Sequence, residues 1–397
     1  MKDWLLLLRI KPFRTFWLAL LVNNLASWSV IAALPILIAG RFGAGMALVL
    51  SLGLRVVPKV LLAPLAGNLL QRHGPARLAS LAMLCQAALT AALPWAQTLP
   101  ELQILVAAIG TLDLFAMPGL LSLRGPVTPQ GPEMAGNTLC SVADRAAKIV
   151  GPALGGLLIA AGTAPAFLIF AALTVTAALT VGRLPSPTRT RRTQSGTLRV
   201  FVEMLTTDRQ ILGLFIAALT YSVMMGGLRP FLFWANRDWF NGTDTAWTGL
   251  LAAQGAGALI GAVVTAFTLN RLRRLCSAYT LTLAAGILEG LAHLLLLFPT
   301  TAFQAMLILA LAGIPEIIST AAWFTAAQIR LSTDRQAILF TYSAPLWDLA
   351  YAAGTFSGGL HADGMLSLSA YWALVSLTAT LPLGPLLAVR RGREPSA

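Results

Sequence analysis

The chain has 397 residues, of which 57% are hydrophobic and only 11% charged, and it carries a net charge of +13. A soluble domain has about a quarter charged residues, so one soluble core cannot hide this apolar surface, and an integral membrane protein is expected. The positive charge does not point to nucleic acid, because the basic residues sit in short blocks between apolar runs, as topology signals do.

A hydrocarbon core about 30 Å thick needs roughly 20 apolar residues in a helix. Runs of that kind follow one another at 15–38, 44–66, 76–97, 102–123, 137–160, 164–182, 210–234, 246–269, 277–298, 302–327, 337–360 and 367–389. The first is long enough to be a spanning helix, and no cleavable signal peptide is evident before it. Basic residues precede run 1 (Lys2, Arg9, Lys11, Arg14) and follow runs 2 (Arg72, Arg77), 4 (Arg124), 8 (Arg271, Arg273, Arg274), 10 (Arg330, Arg335) and 12 (Arg390, Arg391, Arg393). The opposite loops hold only Arg41 and Arg237. This asymmetry predicts that both termini are cytoplasmic. Cys85, Cys140 and Cys276 form no CxxC pair, so a disulfide framework or metal site is not expected.

The longest connection contains PSPTRTRRTQSGT, polar and basic, and reads as a linker over residues 184–208 between halves at 1–183 and 209–397. A repeat supports that division. Gly151-Pro-Ala-Leu-Gly155-Gly156-Leu157 in run 5 spells GxxxGGL, and Gly354-Thr-Phe-Ser-Gly358-Gly359-Leu360 in run 11 spells it again 203 residues later. Small residues at this spacing let helices approach closely. Their recurrence at nearly half the chain length indicates duplication, a construction common among secondary transporters. The expected fold is all-α: twelve transmembrane helices in two pseudo-symmetric six-helix bundles.

The loop after run 2 reads Gly67-Asn-Leu-Leu-Gln71-Arg72-His-Gly74-Pro-Ala-Arg77. With the two halves and the basic central loop, it resembles the major facilitator superfamily over essentially the whole chain. That resemblance implies that Gly67, Gln71, Arg72, Gly74 and Arg77 form a gating loop, with Gln71 standing where the family pattern has an acid. Phe13-Arg14-Thr15-Phe16-Trp17, Ser27-Trp28, Ala33-Leu34-Pro35, Arg55-Val56-Val57-Pro58 and Asn137-Thr-Leu139 are similar to the drug, siderophore and macrolide efflux branch of the family. The branch implies proton-driven export of a small organic molecule from a cytoplasmic (inner) membrane. The partners expected are that substrate, protons and the lipid bilayer, with no nucleic acid and no cofactor, and the protein is expected to be a monomer.

Charges inside apolar runs are costly and mark function or pairing. The family resemblance puts runs 1, 2, 4, 5, 7, 8, 10 and 11 around the transport path. Arg55, Lys59, Asp113, Asp144, Arg145, Lys148, Arg229, Glu316 and Asp348 fall on those runs. Asp113 is expected to pair with Arg55 or Arg145, leaving surplus positive charge in the first half. Asp113, Glu316 and Asp348 are the candidates for proton coupling. Arg55, Lys59, Arg145 and Arg229, with Trp323, Tyr342 and Trp347, are the candidates for substrate binding. The surplus favours a substrate ending in a carboxylate, catecholate or phosphate. Lys59, Asp144 and Lys148 also have a plainer reading, as side chains reaching from a helix end to the cytoplasm. Glu289 and His293, four apart on one helix face, read as a peripheral pair. Gly226-Gly227 and Leu228-Arg229-Pro230 suggest a break in run 7. The chain lacks GxxxxGK[ST], HExxH and GxSxG, so neither ATP hydrolysis nor a membrane-embedded enzyme is expected. A lipid or lysolipid flippase on the same fold is the alternative function.

Overall fold

The computed structural model describes residues 2–59, 62, 74–129, 133–184 and 198–384. Gly67, Gln71 and Arg72 of the expected gating loop, residues 185–197 of the linker and residues 385–397 of the tail lie outside the described residues. Among those described, every regular element is helical. In chain order these are α1 (Lys2–Arg9), α2 (Lys11–Phe42), α3 (Met46–Leu54), α4 (Pro75–Ala92) and α5 (Leu99–Val127), followed by α6 (Glu133–Ala161), α7 (Thr163–Gly182) and α8 (Leu198–Thr207). Then come α9 (Arg209–Trp234), α10 (Asp244–Leu275), α11 (Ala278–Leu294), α12 (Ala302–Arg330), α13 (Thr333–Phe356), α14 (Gly359–Ala362) and α15 (Leu368–Thr378). Eight of the described helices are long and apolar enough to cross a membrane. The other expected crossings correspond to α3, α6, α13 and α15.

The chain divides into two compact units, Met1–Arg192 with Gly242–Ala252, and Thr193–Asn241 with Ala253–Ala397. In the first, α6 packs along α2 through its small residues. A β-carbon at Gly151 would press on the Trp28 side chain and the Leu25 carbonyl, and one at Gly155 on the Ser29 carbonyl. The Ser29 hydroxyl donates to the Gly151 carbonyl at 2.8 Å, and the Trp17 indole donates to the Leu139 carbonyl at 2.8 Å. In the second unit α13 packs on α9 in the same manner: Gly354 sits against the Val223 carbonyl and Gly226 against the Tyr351 carbonyl. The repeated motif thus marks the same kind of helix pair in each unit. Gly151→Leu and Gly354→Leu are each expected to cost about 1–3 kcal/mol by overpacking. Gly40→Ala, where nothing lies within 4 Å of an added β-carbon, should be neutral or stabilising; thermal unfolding of the purified variants checks both.

Two features differ from the sequence reading. Residues Leu198–Thr207, placed in the linker, form the amphipathic helix α8, which buries Phe201 and Met204. Phe201 stacks on Tyr342 with ring centroids 5.5 Å apart. Run 7 is not broken at its glycines: α9 continues through Pro230 to Trp234 and ends in a π turn at Ala235–Trp239. Proline lacks the N–H that would bond the carbonyl four residues earlier, which here is that of Gly226. The Thr355 hydroxyl of α13 donates to that carbonyl instead, at 3.0 Å. Supply of a freed carbonyl from a neighbouring helix is what lets proline persist in a spanning segment.

Candidate coupling and substrate sites

In the first unit the α3 helix stops at Leu54 because Pro58 can neither donate to nor sit easily beneath the carbonyl four residues back. Arg55 and Val56 form a turn there, closed by the Val56 N–H on the Gly53 carbonyl at 2.9 Å. α5 accepts this turn at Gly110, where any β-carbon would overlap the Arg55 carbonyl. Three residues further on, and so on the same side of α5, stands Asp113. Its Oδ2 receives the Lys59 ammonium at 3.2 Å and lies 3.7 Å from the Arg55 guanidinium. Its Oδ1 accepts from the Gln86 amide of α4 at 2.6 Å, and the same amide nitrogen donates to the Ile109 carbonyl at 3.1 Å. The Arg55, Asp113 and Lys59 side chains are 15%, 19% and 22% exposed. The expected pair is therefore a triad with an amide brace: Asp113 has two cations as partners, and the cluster keeps a net charge of +1.

A second cluster with surplus positive charge lines an open cavity of about 260 Å³ between α2, α5 and α6. Arg124 and Arg145 line it with Asp144, Asn24 and Ser141. Asp144 is held by the Asn24 amide at 3.2 Å. The Arg124 Nε is buried with no hydrogen-bond partner among the described residues. Two guanidiniums facing one carboxylate make this wall suited to an anion, which arginine can grip with two parallel hydrogen bonds. The sequence reading ends run 4 at residue 123 and counts Arg124 in the cytoplasmic segment that follows; α5 instead carries it in its last turn. Lys148 lies one turn beyond Asp144 on α6, with its ammonium 5.7 Å from the centre of the Trp28 ring. Gly74, of the expected gating loop, has φ 79°, a left-handed backbone that glycine adopts without strain, and it leads directly into α4 at Pro75. Arg77 follows on the exposed side of that first turn.

In the second unit Glu316 is buried within α12, just after Pro315. α12 closes on α10 one turn earlier: added β-carbons at Gly257 and Gly313 would run into each other's backbone neighbourhood. The Glu316 carbonyl accepts the Thr320 hydroxyl at 2.8 Å. Trp323, two turns along, donates its indole N–H to the Leu214 carbonyl at 2.9 Å, tying α12 to α9. Its ring meets Trp347 edge to face at 5.5 Å. Asp348 is the next residue on α13, half-buried. Arg229 stands over the Tyr351 ring, 5.6 Å from its centre. Tyr342 has its ring committed to Phe201 of α8. Of the aromatic candidates, Trp323 and Trp347 come together on the wall of a second cavity, whereas Tyr342 does not line it. Glu289, read as peripheral, does line it.

The sequence matches the Major Facilitator Superfamily model over residues 16–355. No curated protein sequence matches. Among solved structures, the fold is similar to that of the nucleoside transporter NupG, at TM-score 0.70 and 12% identity, covering 96% of this chain and 100% of the other. It is similar to the human organic anion transporter MFSD10, at TM-score 0.67 and 16% identity, covering 94% and 98%. A variant of the peptide transporter POT superposes at TM-score 0.76 and 14% identity, covering 96% and 94%. At such identities the likeness is one of fold: an all-α membrane protein of the twelve-helix transporter architecture.

Proposed function

We propose, from the premise that the chain belongs to the Major Facilitator Superfamily, that this transporter exports an amphipathic small molecule with an anionic or metal-chelating end. Export proceeds by alternating access in exchange for protons, from a cytoplasmic membrane in which both termini face the cytoplasm. The observation that carries the substrate class is the cavity with Arg124 and Arg145 on its wall and Asp144 as the only lining acid. Drug-like and siderophore-like compounds with carboxylate or catecholate ends fit that chemistry. The fold neighbour described as an organic anion transporter is in keeping with this reading without deciding it.

Everted vesicles supplied with a proton gradient test the proposal, using a panel of amphiphiles matched in size and differing in charge. Anionic members should be exported in preference. Arg145→Gln should lower their transport about tenfold, consistent with losing one charge-assisted bidentate contact. Arg145→Lys should fall between, since lysine acts as a point charge. Export of hydrophobic cations alone, or full-rate export by an Arg124→Gln, Arg145→Gln double variant, overturns the anion reading. Preferential movement of lysophospholipid across vesicles of this protein would favour a flippase instead.

Orientation is checked by thiol labelling in a background where the three cysteines, including exposed Cys85, are replaced by serine. Arg183→Cys and Arg237→Cys, both at exposed positions, should react with an impermeant reagent from the cytoplasmic and the outer side respectively. Labelling of both from one side would contradict the map.

A further inference from the structure

The second unit holds an open pocket of about 210 Å³ between α9, α11, α12, α13 and the end of α15. We propose that it is a second ligand site, distinct from the arginine-lined cavity of the first unit, and that it takes a protonated aromatic amine. Three observations on its wall point to that class. The first is charge: Glu289 is the only Asp, Glu, Lys or Arg among the lining residues. The second is the aromatic surface. Trp323 meets Phe324 edge to face at 5.3 Å and Trp347 at 5.5 Å, and all three rings border the space. Such rings attract a cation through their negative faces, tryptophan most strongly.

The third is the state of the hydroxyls. A hydroxyl has one proton and two lone pairs, and here the serine and threonine protons are spent on carbonyls. Ser319 donates to the Thr282 carbonyl of α11 at 3.0 Å and Thr320 to the Glu316 carbonyl at 2.8 Å. Ser222 donates to the Ala218 carbonyl at 2.8 Å and Thr282 to the Ala278 carbonyl at 2.9 Å. These oxygens meet an incoming ligand as acceptors. A ligand rich in N–H donors satisfies them, and an anion does not. The Trp347 indole N–H, buried with no acceptor among the described residues, leaves a place for one acceptor on the same molecule. Gly286 keeps the wall open: an added β-carbon there meets only the Ser319 hydroxyl, at 3.3 Å.

The site stands on the second unit alone and does not depend on the substrate reading above. Its test is equilibrium binding to the purified full-length chain by calorimetry, with three probes of one shape: 2-phenylethylammonium, 2-phenylethanol and 3-phenylpropionate. The ammonium should bind at least about tenfold tighter than the alcohol, a difference of the size that a desolvated cation–π contact with a countercharge supplies. The propionate should not bind. Glu289→Gln should bring ammonium and alcohol to within about twofold of each other, since the charge term is removed and the apolar one kept. Retained alcohol binding shows that this variant is folded. Gly286→Leu, which places a side chain beside Ser319, should abolish binding of both and keeps the proposal testable if the glutamine variant fails to fold. Equal binding of all three probes, a preference for the ammonium that survives Glu289→Gln, or wild-type binding by Gly286→Leu would each overturn it.

Discussion

Asp113→Asn is expected to destabilise the protein by about 3 kcal/mol, the lower end of the range for removing one partner of a buried ion pair. The variant leaves Arg55 and Lys59, mostly withdrawn from solvent, facing a neutral amide. The lost carboxylate also ends the 2.6 Å contact in which Gln86 donates to Oδ1, although Gln86 keeps its bond to the Ile109 carbonyl. Thermal unfolding in detergent measures the loss. A triple variant, Asp113→Asn with Arg55→Gln and Lys59→Gln, should recover most of it, because an uncharged trio has no orphaned cation. This pattern separates two roles that a carboxylate on run 4 can have. A proton-coupling acid would leave stability nearly unchanged on amidation while uphill transport failed. A structural anchor would do the reverse, and the geometry around Asp113 supports the anchor. An unfolding temperature equal to wild type in Asp113→Asn would sink this assignment.

The legible parts of this molecule are those governed by local composition and period. Runs of apolar residues mark where the helices lie, since helix length in a membrane is set by bilayer thickness, although α15 ends at Thr378, eleven residues short of the end of run 12. The recurring GxxxGGL marks the close helix pairs because only small side chains let backbones meet, and α6 on α2 and α13 on α9 meet there. That Asp113 pairs with a cation was readable from cost, with Arg55 and Arg145 as the alternatives; that Lys59 is the nearer partner, at 3.2 Å, was not. The parts that were not legible depend on partners far apart in the chain. Pro230 suggested a break, but Thr355, 129 residues from Gly226, supplies the missing hydrogen bond and α9 stays intact. Arg124 falls just past the end of run 4 at residue 123, yet α5 continues to Val127. Glu289 was set aside because its helix is peripheral in the family pattern, and periodicity along α11 alone does not reveal that α12 and α15 leave a space beside it. The stacking of Tyr342 on Phe201 was not legible either, because it depends on α8, which the sequence reading places in the linker.

Glu316→Gln is expected to abolish proton-driven accumulation while leaving exchange of substrate at equal pH close to wild type. Ionisable groups buried in spanning helices are expensive and tend to mark ion and proton pathways. Glu316 is buried, and with Asp113 held in its triad, Glu316 and Asp348 are the remaining two of the three carboxylate candidates. The amide keeps the shape of the carboxyl and can still hydrogen-bond, but it cannot take up and release a proton. Any step of the cycle that needs only reorientation of the loaded carrier should therefore survive, and the step that spends the gradient should not. The surroundings favour a role for Glu316 in movement as well as in protonation. It follows Pro315, which interrupts the hydrogen bonding of α12, and Gly313, where α12 and α10 touch backbone to backbone. Its carbonyl is tied to Thr320, on the wall of the second unit's cavity. Asp348→Asn should show the same split if both acids serve one proton, and a milder loss if Asp348 only sets the field around Trp347. The measurement is uptake into everted vesicles with and without an imposed pH difference, against exchange with the gradient collapsed. Gradient-driven uptake at the wild-type level in both variants would show that neither carboxylate couples transport to protons.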